Sequence, residues 1–276
     1  MSPAIGGTSQ GAVRAPAGDF ILETESLGRD FAGFSAVDRV SLQIRRGSIH
    51  ALIGPNGAGK TTFFNLLTKF LQPSRGRITF NGKDITDIPP AKVARMGMVR
   101  SFQVSAIFPS LSVLQNVRVA LQRKEGASLQ FWQSRSRLSR LDEQAMELLS
   151  RVRLQQMAGR RAGDIAYGQK RALELATTIA LEPELVLLDE PTQGMSYEDI
   201  DHVIELVKET ARGRTVVMVE HNMKVVAGIS DRITVLARGS VLAEGNYAEV
   251  SGNAQVIEAY MGRPKTRIRR GGEAAS

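Results

Sequence analysis

Nine consecutive residues, GPNGAGKTT from Gly54 to Thr62, constrain this chain more than any other segment. They fit the pattern G-x-x-x-x-G-K-[ST], which carries a structural demand: a strand must run into the loop and a helix must leave it. Both flanks are present. Ile49 to Ile53 is a mainly apolar run with strand character, and Phe63, Phe64, Leu66, Leu67, Phe70 and Leu71 recur at helical spacing between Thr61 and Leu71. Such a loop is a phosphate cradle. Gly54, Gly57 and Gly59 let successive backbone N–H groups turn towards one anion, and the following helix adds its positive end. Pro55, Asn56 and Ala58 fill the positions between them. Lys60 reaches the outer phosphates, the Thr61 hydroxyl is a ligand for Mg²⁺, and Thr62 closes the motif.

A second segment supplies carboxylates. LVLLDEP, from Leu185 to Pro191, is an apolar strand that ends in Asp189 and Glu190. At the C-terminal edge of a strand, Asp189 can hold Mg²⁺ directly or through water. Glu190 is placed to polarise an attacking water.

The rest of the chain reads as mixed α/β. Val40, Leu42 and Ile44 alternate with Ser41 and Gln43, as in a half-buried strand, and Arg77 to Phe80 reads as another, closed by the turn pair Asn81-Gly82. From about Ile107 to Gln155 strand signals vanish, and Val113 to Leu121 and Asp142 to Val152 carry helical patterns. Beyond them, helices at Lys170 to Leu181 and Ile200 to Thr210 alternate with strands at Leu185 to Leu188, Thr215 to Val219 and Ile233 to Leu236. That alternation predicts a parallel sheet covered on both faces. The expected layout is a flexible leader over 1–19, one domain over 20–262 with a helical subdomain inserted at about 107–170, and a basic tail over 263–276.

Composition narrows the partners. Lys+Arg number 36 against 28 Asp+Glu, a net charge of +8 that suggests an anionic partner or surface. Part of the excess is local: Arg263, Lys265, Arg267, Arg269 and Arg270 lie in the tail, and Arg123, Lys124, Arg135, Arg137 and Arg140 form a second cluster. There is no cysteine, so disulfides, thiolate metal sites and a cysteine nucleophile are excluded. No run approaches the roughly 18 apolar residues of a membrane span. The first residues lack the apolar stretch of a secretory signal. If the protein works at a membrane, other chains hold it there.

With these residues in view, the chain resembles the ATP-binding subunit of an ABC transporter. Further pieces fall in that family's order: Gln103 in RSFQ at the glutamine-loop position, IAYGQKR from Ile165 at the signature position, GMSYED from Gly194 at the D-loop position, and His221 at the switch-histidine position. Phe31 stands where the family stacks an aromatic ring on adenine. The resemblance covers roughly Phe20 to Gly262. It implies an ABC-type phosphate-loop fold, with a mixed sheet core, an antiparallel β-subdomain and the helical insert. It implies ATP and Mg²⁺, Gln103 and Asp189 near the metal, and Glu190 and His221 in hydrolysis. The signature Ala166, Tyr167, Gly168 and Gln169 would cap the nucleotide held by a second ATPase subunit. Docking to two transmembrane permeases is implied through the helical insert and the Gln103 region, with Phe102, Val104, Ile107 and Phe108 supplying apolar groups.

The signature departs from the common LSGGQ form. Ala166 and Tyr167 replace its serine and first glycine, which removes one hydroxyl donor, and Ser196 stands at a D-loop position that is often aspartate. The A-Y-G-Q form, the long basic connector from Lys124 to Arg140 and the ending VIEAYMG are similar to the ATPases of branched-chain amino acid importers. That subtype implies a peripheral place on the cytoplasmic face of the inner membrane and, indirectly, an extracytoplasmic binding protein. The alternatives are a urea or amide importer, a lipopolysaccharide-export ATPase with a shorter insert, and a soluble ABC ATPase. Nucleic acid is not an expected partner for a chain with one ATPase half and no long coiled-coil insertion.

Overall fold

Every residue of Ile49–Ile53, Leu185–Asp189 and Thr215–Val219 is buried. Strands that are apolar on both faces belong inside a parallel sheet covered by helices. The computed structural model describes residues 18–101, 107–124, 135–195 and 200–261 and places all three there.

The strands among the described residues are β1 (Phe20–Phe31), β2 (Phe34–Arg45), β3 (Ile49–Ile53), β4 (Arg75–Phe80), β5 (Lys83–Asp84), β6 (Met98–Ser101), β7 (Leu185–Asp189), β8 (Thr215–Val219), β9 (Arg232–Ala237) and β10 (Ser240–Gly245). One sheet has the order β10-β9-β3-β8-β7-β6, parallel except for β10. The other is antiparallel, in the order β2-β1-β4-β5. The helices are α1 (Lys60–Leu67), α2 (Pro90–Arg95), α3 (Val113–Lys124), α4 (Arg135–Arg151), α5 (Tyr167–Ala180), α6 (Ile200–Ala211), α7 (Met223–Ile229), α8 (Tyr247–Ser251) and α9 (Ala254–Met261).

The side-chain alternation of the strands divides the core. Leu52, Leu185, Leu187, Val217 and Val219 pack with Phe63, Phe64, Leu66 and Leu67 of α1 and with the inward face of the antiparallel sheet, including Val40, Leu42 and Ile44. Ala51, Ile53, Val186, Leu188, Val216 and Met218 face the other way, onto α5, α6 and α7. That second cluster runs without a break into α3 and α4 through Val117, Leu141, Ala145 and Leu149, so the helical region shares its core with the parallel sheet. Residue for residue, α1 lies sandwiched between two sheets, with the phosphate-loop sequence at its entry.

Three elements differ from the sequence pattern. The helix expected over Thr61 to Leu71 ends at Leu67, because Lys69 adopts φ 64° and turns the chain. The Lys69 ammonium is held by the carbonyl of Thr86 and by Gln72 Oε1, and Phe70 is left exposed. Conversely, α4 begins at Arg135 rather than near Asp142, and α5 begins at Tyr167, on the signature itself. The 1–17 part of the expected leader and the tail beyond 261 lie outside the described residues.

Candidate active site

The phosphate-loop sequence leaves β3 at the C-terminal edge of the parallel sheet, where open α/β sheets hold ligands. Two glycines are sterically required. A Cβ on Gly54 would lie 2.1 Å from the Leu236 carbonyl oxygen, and one on Gly59 2.4 Å from that of Ala36; their φ angles are 151° and 96°. The loop is tied to both sheets: Gly239 N donates to Ala58 O at 3.0 Å, and Asp38 N donates to Gly239 O at 2.8 Å. Gly59 precedes the first residue of α1, so the helix N-terminus opens on the loop. Thr61 lies exposed in that first turn and Thr62 half-buried beside it.

Lys60 folds over its own loop. Its Nζ donates to Gly54 O at 2.6 Å and to Pro55 O at 3.0 Å. Burial pushes this ammonium below its ordinary pKa, and the charge of Glu190 opposes the shift. Lys60 and Glu190 are 130 residues apart in sequence, and β8 is the strand between β3 and β7.

Asp189 ends β7 and is 2% exposed. Its Oδ2 accepts from Arg100 Nη2, and its backbone oxygen accepts from Arg171 Nη2 at 3.1 Å. Glu190 follows at φ 45°, a left-handed conformation that a glutamate rarely adopts. Its N–H donates to Val219 O at 2.9 Å, which pins the strained residue against the end of β8. Strain of that kind is a mark of a functional position when the surroundings hold it in place.

His221 follows β8 and is 62% exposed in its side chain. Glu220 beside it is fully buried. One carboxylate oxygen of Glu220 accepts from the N–H and hydroxyl of Thr192, and the other from His221 N at 2.7 Å and Asn222 N at 2.8 Å. Glu220 thus ties the loop after Glu190 to the loop that carries His221. The sequence pattern singled out only the histidine of this pair.

The remaining site residues are spread more widely. Phe31, at the end of β1, is 41% exposed, and the Arg29 guanidinium lies 4.8 Å from its ring centre. Ala166 and Tyr167 are exposed at the N-terminus of α5, with Gly168 and Gln169 half-buried behind them. The Gln169 side chain accepts from Ala166 N at 3.0 Å, and the Tyr167 hydroxyl donates to Gln193 O at 3.1 Å. Among the described residues, no hydrogen bond joins the signature to the phosphate loop. Gln103, Phe102, Val104 and Ser196 lie outside the described residues. Of the expected docking groups, Ile107 is buried in the core and Phe108 is 53% exposed.

Tyr260 of α9 is a further neighbour of the loop. The residue is 45% exposed, and its partial burial pushes the phenol above the ordinary value, with the Gly54 backbone opposing the shift. The ending VIEAYMG was the signal that could have pointed to it.

The donor set suits Mg²⁺. Thr61 and Asp189 offer hard oxygens, and no group of three or more His, Cys, Asp or Glu able to hold a metal occurs among the described residues. Magnesium characteristically takes one or two protein oxygens and fills its octahedron with phosphate and water.

A buried strand feeding a glycine-bounded phosphate cradle, one strand away from another that ends in Asp189 and leads into Glu190, defines a phosphate-loop nucleoside triphosphatase. Comparison with known proteins narrows the class. The family model described as ABC transporter matches residues 37–193, and the model described as branched-chain amino acid ATP-binding cassette transporter matches residues 240–266. The "High-affinity branched-chain amino acid transport ATP-binding protein LivG" of Salmonella typhimurium is 40% identical over 249 residues, covering 88% of this chain and 98% of that protein. The corresponding BraF of Pseudomonas aeruginosa is 38% identical with the same coverage. The solved ADP conformation of an ATP-binding cassette of an ABC transporter superposes with a TM-score of 0.75 at 29% identity, covering 88% of this chain and 99% of that one. The chain belongs to the ABC transporter family, among its ATP-binding subunits. Its chemistry is ATP hydrolysis coupled to transport.

Proposed function

We propose that this chain energises the uptake of branched-chain or closely related amino acids, as the ATP-hydrolysing subunit of an importer whose channel is formed by two separate permease chains. The observation that carries this reading is the similarity to LivG and BraF over 88% of this chain and 98% of each relative, together with the match of residues 240–266 to a branched-chain amino acid cassette model. Among the described residues no helix is long and apolar enough to cross a membrane, which fits a chain held peripherally by permeases on the cytoplasmic face. An extracytoplasmic binding protein would deliver the amino acid.

In the proposed cycle Gly54 to Thr62 cradle the phosphates, Lys60 exchanges its loop carbonyls for the β and γ phosphates, and Phe31 stacks on the adenine. Mg²⁺, held by Thr61 and Asp189 with Gln103 nearby, would supply charge neutralisation at the phosphates. Glu190 orients and deprotonates a water for in-line attack on the γ-phosphorus; the bond to the bridging oxygen breaks, giving ADP and phosphate. His221, steadied by the Glu220 contacts, faces the spreading negative charge. The exposed signature, Ala166 to Gln169, caps ATP on a second ATPase subunit, a paralogue or another copy. ATP then favours the closed pair because it touches both chains, and its hydrolysis removes that bridge.

The test is uptake in the native cell. Deleting this chain should abolish high-affinity uptake of labelled leucine, isoleucine and valine, and the wild-type chain should restore it whereas Glu190→Gln should not. Loss of urea uptake with amino acid uptake intact would replace the substrate. No change in any uptake would remove the chain from import.

A further inference from the structure

Strand β6 carries a cation that the cycle above does not use. The Arg100 side chain is only 11% exposed. Its Nη2 donates to Asp189 Oδ2, and its Nη1 donates to Asn65 Oδ1 at 2.7 Å and to Thr68 Oγ1 at 3.4 Å. The guanidinium also lies 5.2 Å and 5.5 Å from the ring centres of Phe64 and Phe70. Its Nε is buried without a partner, so the group is held by its two terminal nitrogens and by the two rings.

Burying a guanidinium is unfavourable unless an anion compensates it. The anion here is the carboxylate assigned to magnesium. Asp189 is itself 2% exposed, so each of the two buried charges compensates the other. A guanidinium and a divalent cation cannot both draw fully on one carboxylate in a partly desolvated site, because the cations repel each other at close range. The fork of arginine matters as well: one nitrogen reaches Asp189 and the other reaches Asn65, on the helix that begins at Lys60. Lysine has a single nitrogen and could not span both.

We propose that Arg100 is the resident counter-cation of Asp189. It neutralises and orients the carboxylate when the site is empty, and loading with magnesium and nucleotide is an exchange in which Asp189 Oδ2 shifts its bond from Arg100 towards the metal. Magnesium affinity is therefore set below what the bare carboxylate would give, which favours release after hydrolysis. The same side chain ties the metal carboxylate to α1, so the exchange is felt at the phosphate-loop helix. Arg100 acts through Asp189 and is a positioning residue. The inference rests on Asp189 being the magnesium ligand.

The experiment uses the full chain and its Arg100→Met, Arg100→Lys and Asp189→Asn variants. Binding of a fluorescent ATP analogue is titrated at increasing Mg²⁺, and thermal unfolding is recorded empty and loaded. Arg100→Met should unfold at a lower temperature when empty, yet reach half-saturation at a Mg²⁺ concentration on the order of tenfold lower. Its gain in Tm on loading should exceed that of the wild type. Arg100→Lys should fall between the two. An unchanged or raised Mg²⁺ midpoint in a folded Arg100→Met would overturn the proposal and leave Arg100 a packing residue. If Arg100→Met does not fold, Arg100→Lys decides by the direction of its midpoint. Asp189→Asn separates the two layers: a raised midpoint there supports the ligand assignment, and no effect would overturn the site reading on which the inference stands.

Discussion

The phosphate loop and the signature both lie at the N-terminus of a helix, but they are built in opposite ways. The loop at Gly54 to Lys60 is locked from every side: backbone carbonyls of Leu236 and Ala36 crowd Gly54 and Gly59, Gly239 bonds to Ala58, and α1 buries four apolar residues behind it. The signature at Ala166 to Gln169 is open. A Cβ on Gly168 would meet nothing within 4 Å, Tyr167 is 54% exposed, and one glutamine side chain caps the helix. In the proposed cycle the first is a finished half-site and the second a half-site that serves another chain.

The largest expected effect tests the finished half. Glu190→Gln keeps the size and the hydrogen-bonding reach of the side chain but removes the base. We expect hydrolysis to fall by about a hundredfold or more while ATP still binds, because Lys60 and the loop are untouched. The closed pair should then accumulate, visible by size-exclusion chromatography in ATP. Turnover at the wild-type rate would remove Glu190 from the chemistry.

The contrast also predicts an asymmetry in stability. In Gly59→Ala the new methyl would meet a backbone oxygen at a φ that side chains rarely adopt, so we expect a loss of about 3 kcal/mol or more. Gly168→Ala meets open space in the first turn of α5 and should be within about 0.5 kcal/mol of wild type. Urea unfolding of both variants checks this. Equal losses would erase the distinction between a locked and an open loop.

Acid should weaken the locked half first. His50, the second residue of β3, is fully buried; its Nε2 lies 2.8 Å from Thr234 Oγ1 and its Nδ1 has no partner. Burial, helped by the charge of Arg232, lowers its pKa from 6.5 to about 4. The unfolded chain therefore takes up this proton before the folded one does. Above about pH 6.5 the group has no effect; between 6.5 and about 4 stability is lost as pH falls, and the loss is complete below about 4. The full effect is roughly 3 kcal/mol. His50→Gln keeps a partner for Thr234 and should flatten the stability-versus-pH curve over that window relative to wild type. Parallel curves would show that His50 titrates normally.

The locked half was also the legible half. Strands β3, β7 and β8 show in the sequence because residues buried on both faces leave an unbroken apolar run, and the phosphate loop shows because its glycines are forced by carbonyls that any such loop must approach. Strand β1 does not show. Ser26 sits at φ 44° and the pairing with β2 slips register repeatedly, which breaks the alternation. Strand β6 is four residues long and carries Arg100, whose burial is sensible only once Asp189, 89 residues away, is beside it. The end of α1 misled for a related reason: Phe70 and Leu71 keep helical spacing, but the turn at Lys69 depends on its contact with Thr86. Glu220 was hidden likewise, since its role needs Thr192 to return alongside it. Local pattern carried what is local, and pairings between distant polar groups were invisible until the sheet assembled.

The smallest effect concerns the open half, and it asks what Tyr167 does in place of a glycine. Its hydroxyl donates to Gln193 O, and its ring lies about 3.5 Å from where a side chain on Gly194 would begin. Tyrosine therefore leans the start of α5 onto the segment that follows Glu190, a contact that glycine could not make. Tyr167→Phe keeps the ring and removes one exposed hydrogen bond, so stability should change by less than about 1 kcal/mol. Nucleotide affinity, which belongs to the locked half, should not move. Turnover should fall about two- to threefold, since loss of one such bond is worth no more than that. Steady-state kinetics on the purified chain separates the outcomes. A fall in kcat at constant KM would show that the signature helix is steadied by its own D-loop segment. A rise in KM instead would mean that Tyr167 supports the nucleotide-binding half of its own chain, and the division between a finished and an open half-site would have to be redrawn.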